Sequence, residues 1–311
     1  MSLDHKFTID AEYTGMSLAY KNTDYVADRV LPVVSVQNEE FSYKKYPKDA
    51  FLNVARTVIG AKGEAESIDI KSEKITDSLV YHALKAEVPE TEVLAASSKN
   101  DDDPIGDNTL LVTEALMLAR EVRTANLVNT KATYGTNVTT LSGTDQLDDK
   151  SSSAIDVFID ARAKMLVKPN CAVMSDEAAL HLQTHPDFIG MYKSEGSTNQ
   201  GIVPLEFVAK CLQLKEIIVG QAVLNSAPKG KDPQLVQAWG KNIILFYKNP
   251  LAKPKYGLTF GYTAQKGTRE IQRFYNGELG AKGIHIIKGV EQVKELICAP
   301  GCGYMIEAAI S

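Results

Sequence analysis

The 311-residue sequence lacks most of the features that announce a chemistry. Four cysteines are too few for a disulfide framework in a chain of this length. Cys171 and Cys211 stand in apolar surroundings and read as small buried hydrophobes. Cys298 and Cys302 are spaced C-x3-C, unlike the C-x2-C of zinc knuckles and thioredoxin-like sites, and no second pair accompanies them. Free thiols in a reducing cytoplasm are the expectation. Apolar runs such as Ile243 to Tyr247 are far too short to span a bilayer. The opening "MSLDHKFTIDAEYTG" has no apolar core of a secretory signal, so a soluble, non-exported protein is expected. Lysines and arginines form no basic block, and the formal net charge is −5, which gives no global attraction to nucleic acid or an anionic membrane.

Cofactor loops are missing as well. "GTDQLDDKS" ends in Lys-Ser, but Asp149 stands where the second glycine of a phosphate loop belongs, and its carboxylate would repel phosphate. "GAKGEAES" carries two acids and has no strand-to-helix setting, and no dinucleotide fingerprint occurs. Asp101–Asp103 lacks the alternating ligands and closing Glu of a calcium loop and reads as a solvated linker. No cofactor is therefore expected.

One stretch imitates a catalytic centre. In "PNCAVMSDEAALHLQTHPDF" Cys171, His181 and His185 fall within fifteen residues, and the histidines stand four apart, on one face of a helix. H-x3-H without the Glu of H-E-x-x-H lacks the general base of a zinc protease. Cys171 lies in an apolar strand pattern, where a thiol is inert. The stretch reads as a buried strand, a helix capped by Ser175 or Asp176, and an end or break at Pro186.

What is present is a mixture of helix and strand without the strict alternation of a doubly wound sheet, an α+β chain with no internal repeat. Residues 1–35 lack a helical or strand period, and Pro32 interrupts them, so an extended arm is expected. Residues 41–90 place short Tyr, Val, Ile and Phe runs on both sides of "IGAKGEAES", the pattern of a long hairpin with a flexible tip. A lone two-stranded ribbon is marginal in water and calls for a partner surface. Asp107 is placed to cap a long helix in which Leu111, Ala115, Leu118, Val122 and Ala125 form one stripe, with Glu114, Arg120, Glu121 and Arg123 mostly off it. "AIDVFIDARAKML" and "LEFVAKCLQL" read as helices, "KEIIVGQAVLN" and "NIILFY" as strands, and the chain beyond Gly257 as mostly β.

In this order the pieces resemble the major capsid proteins of tailed double-stranded DNA phages, with the Hong-Kong-97-like fold. "DPIGDNTLLVTEALMLAREVRTANLV" resembles the family's spine helix, and "AIDVFIDARAKMLVKPNCAVMSDEAALHLQTHPDF" the helix–strand–helix of its axial domain. "KEIIVGQAVLNSA", "QAWGKNIILFYKNP" and "KYGLTFGY" follow in the family's order. The resemblance implies an N-terminal arm over 1–35, an E-loop hairpin over 36–90, a peripheral domain with the spine helix over 91–140, an axial domain over 141–255, and peripheral return strands over 256–311. It implies a homo-oligomer of pentamers and hexamers that encloses double-stranded DNA without reading its sequence. Assembly in the host bacterial cytoplasm is implied, with a portal as partner, a decoration protein as an optional one, and the virion capsid as destination. Because the chain starts with Met almost directly at the arm, a separate scaffolding protein is expected rather than a removed prosegment. Arg56, Lys62, Glu64 and Glu66 at the hairpin tip are the candidates for inter-subunit ion pairs, while nothing in the sequence identifies the acceptor of a Lys–Asn cross-link. The competing readings are an encapsulin-type compartment, a phage tail or tube protein, and a metal-dependent enzyme built on Cys171, His181 and His185.

Overall fold

The computed structural model describes residues 7–45, 57–59, 63, 73–97, 103–194, 201–228, 230–251 and 257–311. The chain begins with β1 (Thr8–Ile9), α1 (Ala11–Ala19), α2 (Ala27–Val30) and β2 (Val33–Ser35). The arm is thus partly helical, not extended throughout. Asp10 caps α1 by accepting from the Glu12 and Tyr13 N–H groups. The sequence hides this helix because it buries only Ser17 and so has no apolar stripe.

β3 (Glu40–Lys45) and β4 (Glu73–Ser78) pair antiparallel, Glu40 opposite Ser78 and Lys45 opposite Glu73, and form the base of the expected hairpin. After Leu79 the chain leaves that ribbon. β5 (Val80–Pro89), expected as part of the hairpin's second limb, instead pairs along ten positions with β14 (Ile284–Ile297). A six-stranded sheet results, in the order β1, β13 (Glu270–Asn276), β14, β12 (Gly261–Gln265), β2, with β5 also on β14.

Between β5 and the rest run α3 (Glu90–Ser97) and the long α4 (Pro104–Val128). At 25 residues α4 is a rod of about 37 Å. It starts earlier than Asp107, with Asp103 at the cap position and Pro104 in the first turn, where a missing N–H is harmless. Its buried face is also rotated from the expected one. Leu111 is 64% exposed, while Val112, Leu116, Arg120, Glu121 and Thr124 point inward. α4 crosses β14 at Gly289, where an added Cβ would lie 2.8 Å from side-chain carbons of Val112 and Leu116.

A second sheet has five strands in the order β6 (Val138–Thr140), β15 (Gly303–Glu307), β11 (Ile243–Phe246), β7 (Cys171–Ser175), β8 (Glu216–Gly220). The last strand, β15, therefore sits in this sheet, away from β12, β13 and β14. Helices α5 (Ala154–Lys164), α6 (Asp176–Gln183), α7 (Pro186–Ser194) and α8 (Leu205–Cys211) accompany it, and β9 (Val223–Asn225) with β10 (Leu235–Gln237) forms a separate ribbon.

The continuous apolar runs of β7 and β11 follow from burial on both faces of this sheet. Ala172, Met174, Ile243 and Leu245 join a core with Phe158, Ala178, Leu182 and Val208 of the helices. Cys171, Val173, Ile244 and Phe246 join a second core with Val26, Val30 and Leu31 of the arm, Ala125 and Val128 of α4, and Trp239. The period of two along each strand sorts its side chains between the two cores.

Trp239 lies against the end of β8, where an added Cβ on Gly220 would stand 1.9 Å from the indole Cδ1. Gly220→Ala is expected to destabilise the protein by about 3 kcal/mol, the upper range for overpacking. Urea unfolding followed by the fluorescence of the chain's single tryptophan checks this, since the displaced ring should also report a wetter environment.

Candidate functional site

The residues that join arm, long helix and second sheet converge on Glu121. This side chain is wholly buried. Its Oε2 accepts from the Ala27 N–H at 2.7 Å, its Oε1 from the Trp239 Nε1–H at 2.6 Å, and both oxygens lie 3.0 Å from the Val26 N–H. Burial raises the Glu121 carboxyl above the ordinary range, and the hydrogen bonds from Val26, Trp239 and Ala27 oppose that rise. One carboxylate thereby satisfies two orphan N–H groups at the start of α2 and an indole from the loop after β10.

Around it the arm is fastened along α4. The Thr113 hydroxyl sits 2.8 Å from Ser17 Oγ, and Glu114 accepts from Asn22 at 2.9 Å and from Tyr25 at 2.5 Å. Arg29 and Lys248 both pair with Glu216, at 2.7 and 3.0 Å, bridging the arm to β8. Those pairs are partly exposed and contribute about 0–1 kcal/mol each. Below α4, Arg123 reaches Glu295 at 3.1 Å and the fully buried Glu291 at 3.4 Å. The helix is thus tied to β14 by charge as well as by packing.

The hairpin leaves this body through a smaller cluster, in which Phe41 and Leu79 pack on Tyr262, Ala264 and Leu296. Arg56, Lys62, Glu64 and Glu66 lie outside the described residues.

The Cys171, His181 and His185 group does not form a site. Cys171 faces the core shared with the arm, whereas α6 packs on the opposite face of the sheet. Burial raises the Cys171 thiol, the reverse of an activated nucleophile. His185 is buried between other partners: its Nε2 lies 3.1 Å from Ser152 Oγ and its Nδ1 accepts from the Asp187 N–H at 3.3 Å. That pattern requires the neutral ring with its proton on Nε2. Ser175 caps α6 by accepting from the Ala178 N–H, and Pro186 opens α7. Among the described residues no three His, Cys, Asp or Glu side chains are grouped to hold a metal, and no helix is long and apolar enough to cross a membrane.

Sequence reasoning missed Glu121 because a charged residue inside a helix reads as solvent-facing. No local pattern marks it, since Arg120 and Glu121 lie off the apolar stripe, where a charged residue is ordinary. Glu121→Gln turns an amide donor toward one of three N–H groups, and is expected to weaken arm docking by about 1–3 kcal/mol. Limited trypsin digestion should then cut faster at Lys21 and Arg29.

Burial lowers the His185 pKa, with the Asp187 carboxylate opposing it. The unfolded chain, at the ordinary value of 6.5, takes up this proton first as pH falls. The stability held by the neutral ring is therefore full above that value and is lost as pH drops through the folded pKa. Thermal unfolding across this range should show the loss, and His185→Gln should flatten it.

The chain is 34% identical over 306 residues to the major capsid protein of Pseudomonas phage JBD67, with 98% of both chains covered. Its fold is similar to that of a phage-related protein from Bordetella bronchiseptica RB50, with a TM-score of 0.76, 22% identity and 98% of each chain covered. It is also similar to the capsid of the cyanophage P-SCSP1u, with a TM-score of 0.59 at 10% identity over 94% of this chain and 90% of the other. No protein-family model matches the sequence. Major capsid proteins are structural proteins of the virion, not enzymes. At this identity and coverage the chain belongs to the tailed-phage major capsid proteins, of Hong-Kong-97-like fold, whose copies assemble into the shell of the phage head.

Proposed function

We propose that the chain forms pentamers and hexamers of an icosahedral shell that encloses double-stranded DNA, assembled in the host bacterial cytoplasm. In this reading residues 1–35 act as the arm, 36–90 as the E-loop segment, whose last strand β5 returns to the body on β14, 91–140 and 256–311 as the peripheral domain, with β15 crossing to the second sheet, and 141–255 as the axial domain. A separate scaffolding protein and a portal are the further partners, with a place for a decoration protein. Arg56, Lys62, Glu64 and Glu66 at the hairpin tip make ion pairs to neighbouring copies, which set register more than strength.

The observation that carries this reading is the arm's exposed apolar surface. Ile9 is 59% exposed and Leu18 46%, although both belong to a segment docked on the body through its other side. A neighbouring copy covers such residues in a head-to-tail contact that closes into rings. The net charge of −5 suits a container that does not hold the polyanion tightly while filling. A phage relative at 34% identity favours a phage head over an encapsulin-type compartment.

Electron microscopy of the purified protein should show closed shells, whereas tubes or dispersed monomers would sink the reading. Neutralising Arg56, Lys62, Glu64 or Glu66 one at a time should lower assembly yield or particle stability. Unaltered particles in all four variants would remove those residues from the interface.

A further inference from the structure

Under the arm, between α4 and the turn that joins β12 to β13, lies a cleft of about 450 Å3. Lys21, Tyr25 and Asp28 of the arm, Met117 and Arg120 of α4, and Arg269 line it. The Arg120 side chain is only 8% exposed. Its Nε has no hydrogen-bond partner among the described residues, and its Nη2 stands 3.0 Å from Asp28 Oδ1 in an ion pair without hydrogen-bond alignment. Arg269 is similarly placed: its side chain is 11% exposed, and among the described residues its Nε has no partner and its one ion pair, to Glu291, is 3.6 Å long. Two sunken guanidinium groups thus stand side by side in the wall of one cleft, each with buried N–H donors that have no hydrogen-bond partner among the described residues, an arrangement that proteins rarely leave uncompensated.

The charges around the cleft are also unbalanced. Lys21, Arg29, Arg120 and Arg269 line it against Asp28 and Glu121. Arg29 is engaged by Glu216, Arg120 by Asp28 and Arg269 by Glu291, and the Glu121 oxygens are taken up by Val26, Ala27 and Trp239. Lys21 makes no ion pair among the described residues, so it and the poorly satisfied guanidinium groups call for one more anion.

We propose that this cleft receives the carboxylate of an aspartate or glutamate from a neighbouring copy of the chain. The proposal rests on the shell reading above, which brings copies against the arm. A carboxylate fits better than a nucleic-acid phosphate for three reasons. Its planar pair of oxygens matches the guanidinium fork. The Tyr25 ring and Met117 offer an apolar wall to the methylene stem of an acidic side chain. A phosphate chain, by contrast, would follow a basic track, and the lysines and arginines of this chain form no basic block. The sequence supplies 39 acidic residues from which the incoming group can be drawn.

Met117→Glu tests the proposal by seating the chain's own carboxylate in the cleft. Met117→Gln, of similar length but neutral, sets the reference for any disturbance of packing. With both variants shown to fold by circular dichroism, Met117→Glu should give at least tenfold fewer shells than Met117→Gln. On wild-type shells, a water-soluble carbodiimide should join the Lys21 amine to the incoming carboxylate as an amide, with the reagent leaving as a urea. Mass spectrometry of the resulting dimer band should then find Lys21 linked to an acidic residue of a second copy. Equal shell yields for the two variants, or Lys21 linked only within its own chain, would overturn the proposal. So would Met117→Glu shells that form normally but retain less DNA, which would assign the cleft to nucleic acid. Wild-type protein that forms no shells at all counts instead against the shell reading itself.

Discussion

A single buried carboxylate holds together the three parts of this subunit. Glu121 projects from the middle of the long helix into a space where no water reaches it, and there it meets the first N–H groups of a helix in the arm and the indole of Trp239. Those donors come from two distant stretches of chain, and each would be orphaned without it. The energetics are lopsided in a useful way. Making such a bond adds on the order of 1 kcal/mol, whereas leaving a buried donor unmet costs about 1–3 kcal/mol. Arm, helix and second sheet are therefore locked in one arrangement more firmly than the net strength of the contacts suggests. The snug seat of Trp239 over Gly220 completes the lock, because only a residue without a Cβ lets the ring reach the carboxylate.

The second sheet gives this lock something rigid to act upon. Its central strands, β7 and β11, are buried at every position because both faces are covered, helices on one side and the arm with the long helix on the other. A double-sided sheet transmits position: moving the arm disturbs Cys171, Val173 and Ile244, whose neighbours in sequence hold the helices of the opposite face. The partly exposed pairs from Arg29 and Lys248 to Glu216 add little strength but agree with the same geometry. What leaves this body is built differently. The hairpin base rests on a small cluster around Phe41 and Tyr262, and the arm keeps Ile9, Met16 and Leu18 facing outward. A subunit with a rigid centre and incompletely buried extensions is suited to association, since the extensions gain their remaining contacts from a neighbour.

Much of the fold is legible in the sequence wherever a side-chain pattern reports burial directly. "CAVM" and "IILF" are uniformly apolar and are buried strands, and the helix over Ala154–Lys164 and the ribbon at the hairpin base follow their patterns too. Legibility fails where burial and polarity part company. The long helix turns Leu111 outward and Arg120 and Glu121 inward, so the stripe through Leu111, Ala115, Leu118, Val122 and Ala125 runs beside the buried face and joins it only at Ala125. The arm helix buries a serine rather than an apolar face, so no periodicity marks it. β5 alternates only weakly because α4 and the sheet cover it unevenly, and its partner, β14, lies some two hundred residues further along the chain, where no local rule can look.

The same division explains why the apparent catalytic group dissolved while the junction stayed hidden. Cys171, His181 and His185 are close in sequence and chemically suggestive, but a strand followed by a helix sends the cysteine to one face of the sheet and the histidines to the other. Glu121, Trp239 and the amides of Val26 and Ala27 are separated by 95 and 118 residues, and they carry no motif. Proximity in sequence overstated one group, and distance concealed the other. For a protein whose work is association rather than chemistry, this outcome is the expected one. Catalysis needs particular side chains at particular spacings, which local patterns can reveal, whereas a shell subunit needs its parts fixed relative to one another. That demand is met by long-range satisfaction of buried donors and by close backbone approach at positions such as Gly220 and Gly289.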